Sequence, residues 1–484
     1  MYLANPFKVK IMQDNTMLSY VKDVVDNMPV EWLNITTHRL DIYNEKLAKT
    51  QFLEQFEVLY HAHNSSKSAL SELPTAYDYI RLGHPLSCIL EWAIAKLSGQ
   101  EQDNVVSFSS KTMPVLAVLR KNLLEDRETR ILYTGAMPNC FDEGVLKAVY
   151  GYHFELTKVD SVDAIDAFAG TTVFIAERED ICVIDVTANI DFYVSTHAKF
   201  GSILVANGEE NANYISEVQH VRRRETIAMT PANTYEVLQR LVGNNAVLSK
   251  ITDLNMTKKS VFNSINEITT ANTKPIVGSS GLSTQYAIVM GLVAHAMEYH
   301  QGKKITFIVP PNCYGGTNDQ ARRAAACSEH IDVVDLLVDG GKYMDQSIDR
   351  VLEAVAKEDA IPYIIVEIPT NPRVEVPDLH LLKEVLTKKR TTLSGDIAID
   401  PVFIVDQTFC PNVHFLGKED ILSEVRTISY VSGSKFPSGG KCTAGYAVAN
   451  KKAENLMEKI ALHLSICDNE ATPLQYEILA KQLP

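Results

Sequence analysis

Ser432-Gly433-Ser434-Lys435 follows a β-rich run, Thr427-Ile428-Ser429-Tyr430-Val431, so a lysine stands just past a strand end among small hydroxyl residues. Such an amine is placed to condense with a carbonyl. A lysine meant only for solvent needs no hydroxyls packed beside it, whereas one that carries a phosphorylated aldehyde needs phosphate donors close at hand. Alone, the tetrapeptide is a weak signal, because Ser/Gly/Lys turns are common on surfaces.

The segments before it give it weight. Lys274-Pro275-Ile276-Val277 leads into Gly278-Ser279-Ser280-Gly281, and Ile305-Thr306-Phe307-Ile308-Val309 into Asn312-Cys313-Tyr314-Gly315-Gly316-Thr317. Tyr363-Ile364-Ile365-Val366 leads into Glu367-Ile368-Pro369-Thr370-Asn371-Pro372, and Val402-Phe403-Ile404-Val405 into Asp406-Gln407-Thr408. Continuous β-branched runs separated by helix-length stretches predict buried parallel strands with crossover helices, an α/β architecture that gathers ligands at the carboxyl ends of its strands. All five polar stretches fall on that edge.

Chemistry then distributes roles. Gly281 and Leu282 open a helical stretch expected from Ser283 to about His300. Its first free amides and positive dipole end suit a phosphate, and Gly281 lets the backbone come close. Ser432 and Ser434 add hydroxyl donors. Asp406, emerging from an apolar strand, suits a protonated pyridine nitrogen, which makes the ring an electron sink. Tyr314 offers a stacking face and a phenol for proton transfer, and Asn371 an amide donor for a ring hydroxyl. The ligand that asks for all of these is pyridoxal 5'-phosphate (PLP). Each residue also has an ordinary use: a strand-end Asp caps helices, a Tyr beside Gly-Gly packs a loop, and Pro369-Thr370-Asn371-Pro372 makes a stiff turn. Five in this order point beyond those uses.

The stretch from about Ile276 to Gly445 resembles the Cys/Met-metabolism family of PLP-dependent enzymes, which includes cystathionine synthases and lyases, methionine γ-lyase and O-acylhomoserine sulfhydrylases. The family's pattern of SSG, YGGT, Glu-x-Pro-Thr-Asn-Pro, Asp-x-Thr and Ser-x-Thr-Lys is met by Ser279-Ser280-Gly281, Tyr314-Gly315-Gly316-Thr317, Glu367 to Pro372, Asp406-Gln407-Thr408 and Ser432-Gly433-Ser434-Lys435. The resemblance implies the fold type I, PLP-dependent transferase-like architecture, with three αβα layers around a mostly parallel sheet. It implies Lys435 as the internal-aldimine lysine and base for the Cα proton, Asp406 as the ring-nitrogen partner, Thr408 as its neighbour in the hydrogen-bond network and Tyr314 as the stacking residue. Gly281, Leu282, Ser432 and Ser434 would be phosphate contacts. Far upstream, Tyr79-Ile80-Arg81-Leu82-Gly83-His84-Pro85 is similar to the family's Tyr-Ser-Arg-x-x-Asn-Pro. There the Tyr and Arg reach across a subunit interface to the partner's cofactor phosphate, for which a guanidinium supplies a planar donor fork. Departures are Ser434 for Thr, Gln407 for Asn and His84 for Asn.

In the family that upstream motif lies some tens of residues before SSG, whereas here roughly 200 residues intervene. The N-terminal half repeats the C-terminal landmarks in order. Ser109-Ser110-Lys111 stands for Ser279-Ser280-Gly281, Pro138-Asn139-Cys140-Phe141 for Pro311-Asn312-Cys313-Tyr314, and Ile184-Asp185-Val186-Thr187 for Val405-Asp406-Gln407-Thr408. Tyr193 to Phe200 echoes Tyr430 to Phe436, and Thr230-Pro231 echoes Thr472-Pro473. Ordered self-similarity predicts duplication. The first copy has lost its own site: Lys111 replaces a glycine, Phe141 lacks a phenol, no Pro-Thr-Asn-Pro follows Glu177, and Asp185 to Lys199 is too short for a further strand and helix. It keeps Tyr79 and Arg81. The expected organisation is a helical segment over 1–75, a degenerate PLP-transferase-like copy over 76–250 and a PLP-binding large domain over 251–484, forming an intrachain pseudo-dimer or a homo-oligomer.

At 484 residues the chain has room for two full cores, and its net charge of -14 disfavours nucleic acid or an anionic membrane as a partner. Arg222-Arg223-Arg224 is too short a basic run to offset that charge. The apolar stretch from Tyr286 to Met297 is too short to span a bilayer, and the N-terminal residues Met1 to Pro6 lack signal-peptide features. Eight cysteines without metal or disulfide spacing suit a reducing cytoplasm. His38, His61 and His63 do not read as a metal site, because His61-Ala62-His63 points its rings to different faces of a helix and no third ligand is spaced to join that pair. The expected function, by resemblance, is sulfur amino-acid metabolism. The reaction would be β- or γ-elimination or replacement on a cystathionine, methionine or O-acylhomoserine-type substrate, by a carbon-sulfur lyase or γ-synthase-like transferase. The resemblance also implies a small C-terminal domain whose arginine clamps the substrate carboxylate. The sequence runs about fifty residues past Lys435 with no arginine after Arg426, so that domain is expected to be missing: the chain is shortened, or Arg322, Arg323 or Arg373 serves as the clamp, or PLP is bound without turnover. The alternative is a non-catalytic homologue acting as an assembly or regulatory subunit.

Overall fold

The computed structural model describes residues 6–35, 44–244, 253–338, 343–371 and 373–484, with side chains from residue 14 onward except those of 45 and 46. His38, Pro372 and part of the boundary expected between the halves lie outside the described residues. The chain forms two compact units, Met1–Phe141 with His153–Lys250, and Asp142–Tyr152 with Ile251–Pro484. Each is α/β, as the apolar runs predicted. No helix among the described residues is long and apolar enough to cross a membrane.

In the first unit the described strands are β1 (Val105–Phe108), β2 (Thr129–Thr134), β3 (Glu155–Lys158), β4 (Thr171–Glu177), β5 (Phe192–His197) and β6 (Gly201–Ala206). Their order in the sheet is β1-β6-β5-β4-β2-β3, with β6 antiparallel to both neighbours and the other pairs parallel. The helices Pro6–Asn27 and Glu45–His61 do not stand apart from this unit. Met17, Tyr20, Val24, Phe52 and Phe56 share one core with Trp92, Tyr193 and Leu238, because an amphipathic helix must lay its apolar face on something.

A buried charge network runs through that unit. Glu91, fully buried on the helix Pro85–Ser98, accepts from Arg222 Nη1 (2.6 Å), the Ser107 amide (2.9 Å) and Ser107 Oγ (2.8 Å). Lys49 Nζ lies 3.1 Å from its second oxygen, and Arg222 Nη2 donates to Tyr77 Oη at 3.1 Å. Burial alone would raise the Glu91 carboxyl, but the Arg222 and Lys49 cations overcome it and hold the group at about 2. Arg222 is therefore a core residue rather than part of a surface basic run.

In the second unit the described strands are β7 (Ile276–Gly278), β8 (Ile305–Val309), β9 (Ile331–Asp335), β10 (Ile361–Glu367), β11 (Val402–Asp406), β12 (Arg426–Val431) and β13 (Gly445–Ala449). The order is β7-β13-β12-β11-β10-β8-β9; β13 runs against β7 and β12, and the remaining pairs are parallel. The sheet is thus mixed, with a parallel block from β12 to edge strand β9 and the antiparallel pairings at the β7 end. Strands β8, β10 and β13 are buried along their length, as continuous apolar sequences require. Edge strand β9 is half open, and its Asp332 and Asp335 pair with Lys304 and Arg322, which blunts the edge. The helix Gly281–Tyr299 is buried from Gly281 to Ala296 and packs on the helix Met457–Ile466.

Candidate active site

The carboxyl ends of β7, β8, β10, β11 and β12 deliver the polar turns singled out above to one edge of the second sheet. After β7, Ser279-Ser280 turns straight into the helix Gly281–Tyr299. Ser280 Oγ accepts from the Ser283 amide (3.0 Å) and Ser283 Oγ accepts from the Ser280 amide (2.8 Å). This reciprocal cap leaves the Gly281 and Leu282 amides, the first of the helix, without an intrahelical carbonyl at the positive end of the dipole. A Cβ at Gly281 would lie 2.6 Å from Ser432 Cβ, and one at Gly433 would lie 1.6 Å from the Ala444 carbonyl oxygen. Glycine at 281 lets the helix start close on the lysine turn, and glycine at 433 lets that turn close on the backbone before β13.

Hydrogen bonds run unbroken along this edge. The Thr408 amide donates to Asp406 Oδ1 (2.8 Å), the Ser432 amide donates to Thr408 Oγ1 (3.0 Å), and the Ser432 and Ser434 hydroxyls are 2.9 Å apart. Lys435 is the next residue. Its side chain is exposed, and among the described residues no carboxylate lies within ion-pair distance of it. Asp406 stands in register between Glu367 on β10 and Tyr430 on β12. Burial raises its carboxyl above the usual range, against hydrogen bonds from Thr408 and Tyr430. Among the described residues no cationic side chain pairs with it. A carboxylate desolvated without a cation fits a protonated pyridine nitrogen, and free helix-start amides beside two hydroxyls fit a phosphate.

Tyr314 and Asn371 meet through a residue to which the sequence reading gave no role. Glu367 Oε1 accepts from the Tyr314 amide (2.6 Å) and Oε2 from the Asn371 amide (3.1 Å). Gln285 was missed as well: its Oε1 accepts from Thr317 Oγ1 and Tyr430 Oη, both at 3.0 Å, and a glutamine in so apolar a helix was the readable signal. Gln320 Nε2 donates to the Leu282 carbonyl (2.8 Å). The Ser279 carbonyl accepts from Thr443 Oγ1 (2.8 Å) and Gln475 Nε2 (2.9 Å), and its amide donates to the Asn469 carbonyl (2.7 Å). Ser438 Oγ donates to the Gly433 carbonyl and accepts from the Lys441 (2.9 Å) and Cys442 (3.0 Å) amides, pinning the turn that bears Lys435. Nothing in the sequence around Ser438 marks it, whereas Thr472-Pro473-Leu474-Gln475 reads as a helix-capping box and so marks Gln475 only as a cap.

Tyr79 and Arg81 lie in the first unit. The Arg81 guanidinium sits 4.5 Å from the Tyr79 ring centroid, and its carbonyl accepts from the Ala228 amide (2.8 Å). His84 caps the following helix in place of the family's Asn, its Nδ1 accepting from the Ser87 amide (3.2 Å) while Nε2 lies 2.7 Å from the Met229 carbonyl. Burial lowers this imidazole to about 4, so it caps as a neutral ring. Ile184 to Thr187, matched to the end of the Asp406 strand, is not part of a strand; residues 181–190 are turn and coil. Asp185 pairs there with Arg178 (2.7 Å), and Lys199 is bonded to Glu236.

No family model matches the chain, and no curated protein sequence matches it. Among solved structures it is similar to an apo methionine gamma lyase from Micromonospora echinospora, at 18% identity over 47% of this chain and 52% of that one, with a TM-score of 0.34. It is similar to the cystathionine gamma synthase of Xanthomonas oryzae pv. oryzae in complex with aminoacrylate and cysteine, at 19% identity over 49% and 53%, with a TM-score of 0.33. The yeast cystathionine gamma-lyase gives 17% identity over 50% and 53%, with a TM-score of 0.36. These are enzymes of the kinds that the motif resemblance names. The chain spans about half the length of each.

Proposed function

We propose that the second unit binds PLP and acts on a sulfur-containing or O-acylated amino acid, as a carbon-sulfur lyase or γ-synthase-like transferase. The observation that carries this reading is the continuous path from Asp406 through Thr408, Ser432 and Ser434 to Lys435, beside the free amides of Gly281 and Leu282. Lys435 would hold the cofactor covalently, the Gly281 and Leu282 amides with Ser432 and Ser434 would hold its phosphate, and Asp406 its ring nitrogen. Tyr314 would cover the ring face and Asn371 would donate to the ring hydroxyl. Bound there, PLP supplies an electron sink for negative charge at the substrate Cα.

The chain's own residues do the rest. Hydrogen bonds from Thr408 and Tyr430 orient the Asp406 carboxylate, whose charge would keep a proton on the ring nitrogen. Lys435 Nζ is the base for the substrate Cα proton, and the half-open Tyr314 phenol is a second proton carrier at the mouth of the site. Tyr79 and Arg81 we assign, on the motif resemblance, to a cofactor phosphate. We also infer that the two units are copies of one ancestor, since their sheets share a strand order that differs by one strand.

Incubating the protein with PLP and recording its visible absorbance tests the reading. A band that is absent in Lys435→Ala is expected, and its shift on adding cystathionine, methionine or O-acetylhomoserine separates the substrates. A protein that stays colourless after incubation overturns the proposal.

A further inference from the structure

Glu367 closes β10 between the two turns that bear Tyr314 and Asn371, and neither the phosphate path nor the Lys435 turn uses it. It is 7% exposed. One oxygen accepts from the Tyr314 amide, 53 residues away in sequence, and the other from the Asn371 amide, four residues away. Two turns that leave different strands therefore end on one carboxylate. We propose that Glu367 is a positioning residue, a two-armed strut that holds the Tyr314 and Asn371 turns at set places beside Asp406. What those side chains face rests on the PLP reading; the strut itself belongs to the protein without cofactor.

Only the carboxylate serves both arms. Ionised, it accepts at each oxygen; protonated, one oxygen becomes a hydroxyl; a glutamine would present its NH2 to one of the two amides. Asp406 from β11, Tyr430 from β12 and Cys313 from the turn before Tyr314 face Glu367, and none brings a positive charge. Burial first, with Asp406 adding to it against the two amide bonds, raises Glu367 to about 7. Both arms are thus made above about pH 7, and one is lost below it. A cationic ring nitrogen at Asp406 would ease ionisation of Glu367, so occupancy of that position and ordering of the two turns favour one another.

Hydrogen exchange read by mass spectrometry on the full-length, cofactor-free chain tests this. At pH 8, Glu367→Gln is expected to speed exchange about tenfold in at least one of the segments around Tyr314 and Asn371, a local opening of roughly 1.4 kcal/mol, while β8 keeps its protection. With PLP present, the variant should still take colour, because Lys435 is intact, but with weaker affinity. In the wild type, the two segments should lose protection as pH falls through about 7, after correction for intrinsic rates, and the variant should lack that step. Unchanged protection of both segments in Glu367→Gln overturns the strut. Should the variant not fold, the wild-type series decides alone, and protection flat from pH 5.5 to 8.5 overturns it. A wild type that never takes colour overturns the PLP reading instead and leaves the exchange result to stand on its own.

Discussion

Lys435 follows the strand next to the antiparallel one in its sheet and has no carboxylate among the described residues within ion-pair distance, whereas Lys199, at the corresponding place in the other sheet, is bonded to Glu236. The strands before them differ in the same sense. Glu367 at the end of β10 is in register with Asp406, but Glu177 at the end of β4 is in register with Thr196, because no strand stands where β11 would be. Asp185 is left on a half-exposed coil, neutralised by Arg178. On the common ancestry we infer for the two units, a site of this kind would be lost by deleting one strand and pairing off one amine, while the sheet persists. Its core is made of the apolar strand interiors, which the edge chemistry does not touch.

The contrast can be broken most directly at the lysines. Lys435→Ala should abolish the visible band of the PLP-treated protein and lower turnover by roughly a thousandfold or more, as for loss of a covalent and proton-transfer group. Lys199→Ala should leave both as they are, and a band lost in that variant would end the contrast. Asp406→Asn should cost about a hundredfold in kcat with PLP still bound, since the ring nitrogen loses its anionic partner, and Asp185→Asn should cost nothing measurable. In the core of the first unit, Glu91→Gln should lower stability in urea by about 3 kcal/mol, because it leaves Arg222 and Lys49 buried and underpaired. Glu91 also sets an acid limit. Its folded-state value of about 2 is below the ordinary carboxylate value, so its stabilisation is whole above about pH 4.5 and drains away as pH falls toward 2. Thermal melts across that range should show the loss in the wild type and not in the variant. The smallest effect belongs to Ser434→Ala, where one of several phosphate donors goes and PLP affinity should fall about fivefold, near 1 kcal/mol.

What the sequence made legible was whatever depends on a run of neighbours. Ile305 to Val309, Tyr363 to Val366 and Val402 to Val405 read as buried strands because every residue in them is apolar or β-branched, and the polar turns at their ends follow from that register. The helix opened by Gly281 and Leu282 was legible as well, and the reciprocal Ser280–Ser283 cap found in the structure puts its first turn at Gly281, ahead of the Ser283 expected. What stayed hidden depends on chain segments far apart meeting in space. Glu367 looked like the first letter of a turn motif, and its bonds to two backbone amides are set by how β8 and β10 lie together. Arg222 looked like surface charge, because its partners Glu91 and Tyr77 are more than a hundred residues away. The antiparallel course of β6 and β13 was invisible too, since burial on both faces gives a strand the same composition in either direction.

The turn that presents the Gly281 and Leu282 amides does not stand by itself. The Ser279 carbonyl and amide are fastened by Thr443, Gln475 and Asn469, so the helix Pro473–Gln482 and the stretch before it act as a clasp on the end of the site proposed to hold phosphate. A proteolytic nick between Asn469 and Gln475 should therefore release a bound phosphate ligand at temperatures where the sheet is still intact, uncoupling ligand retention from global melting.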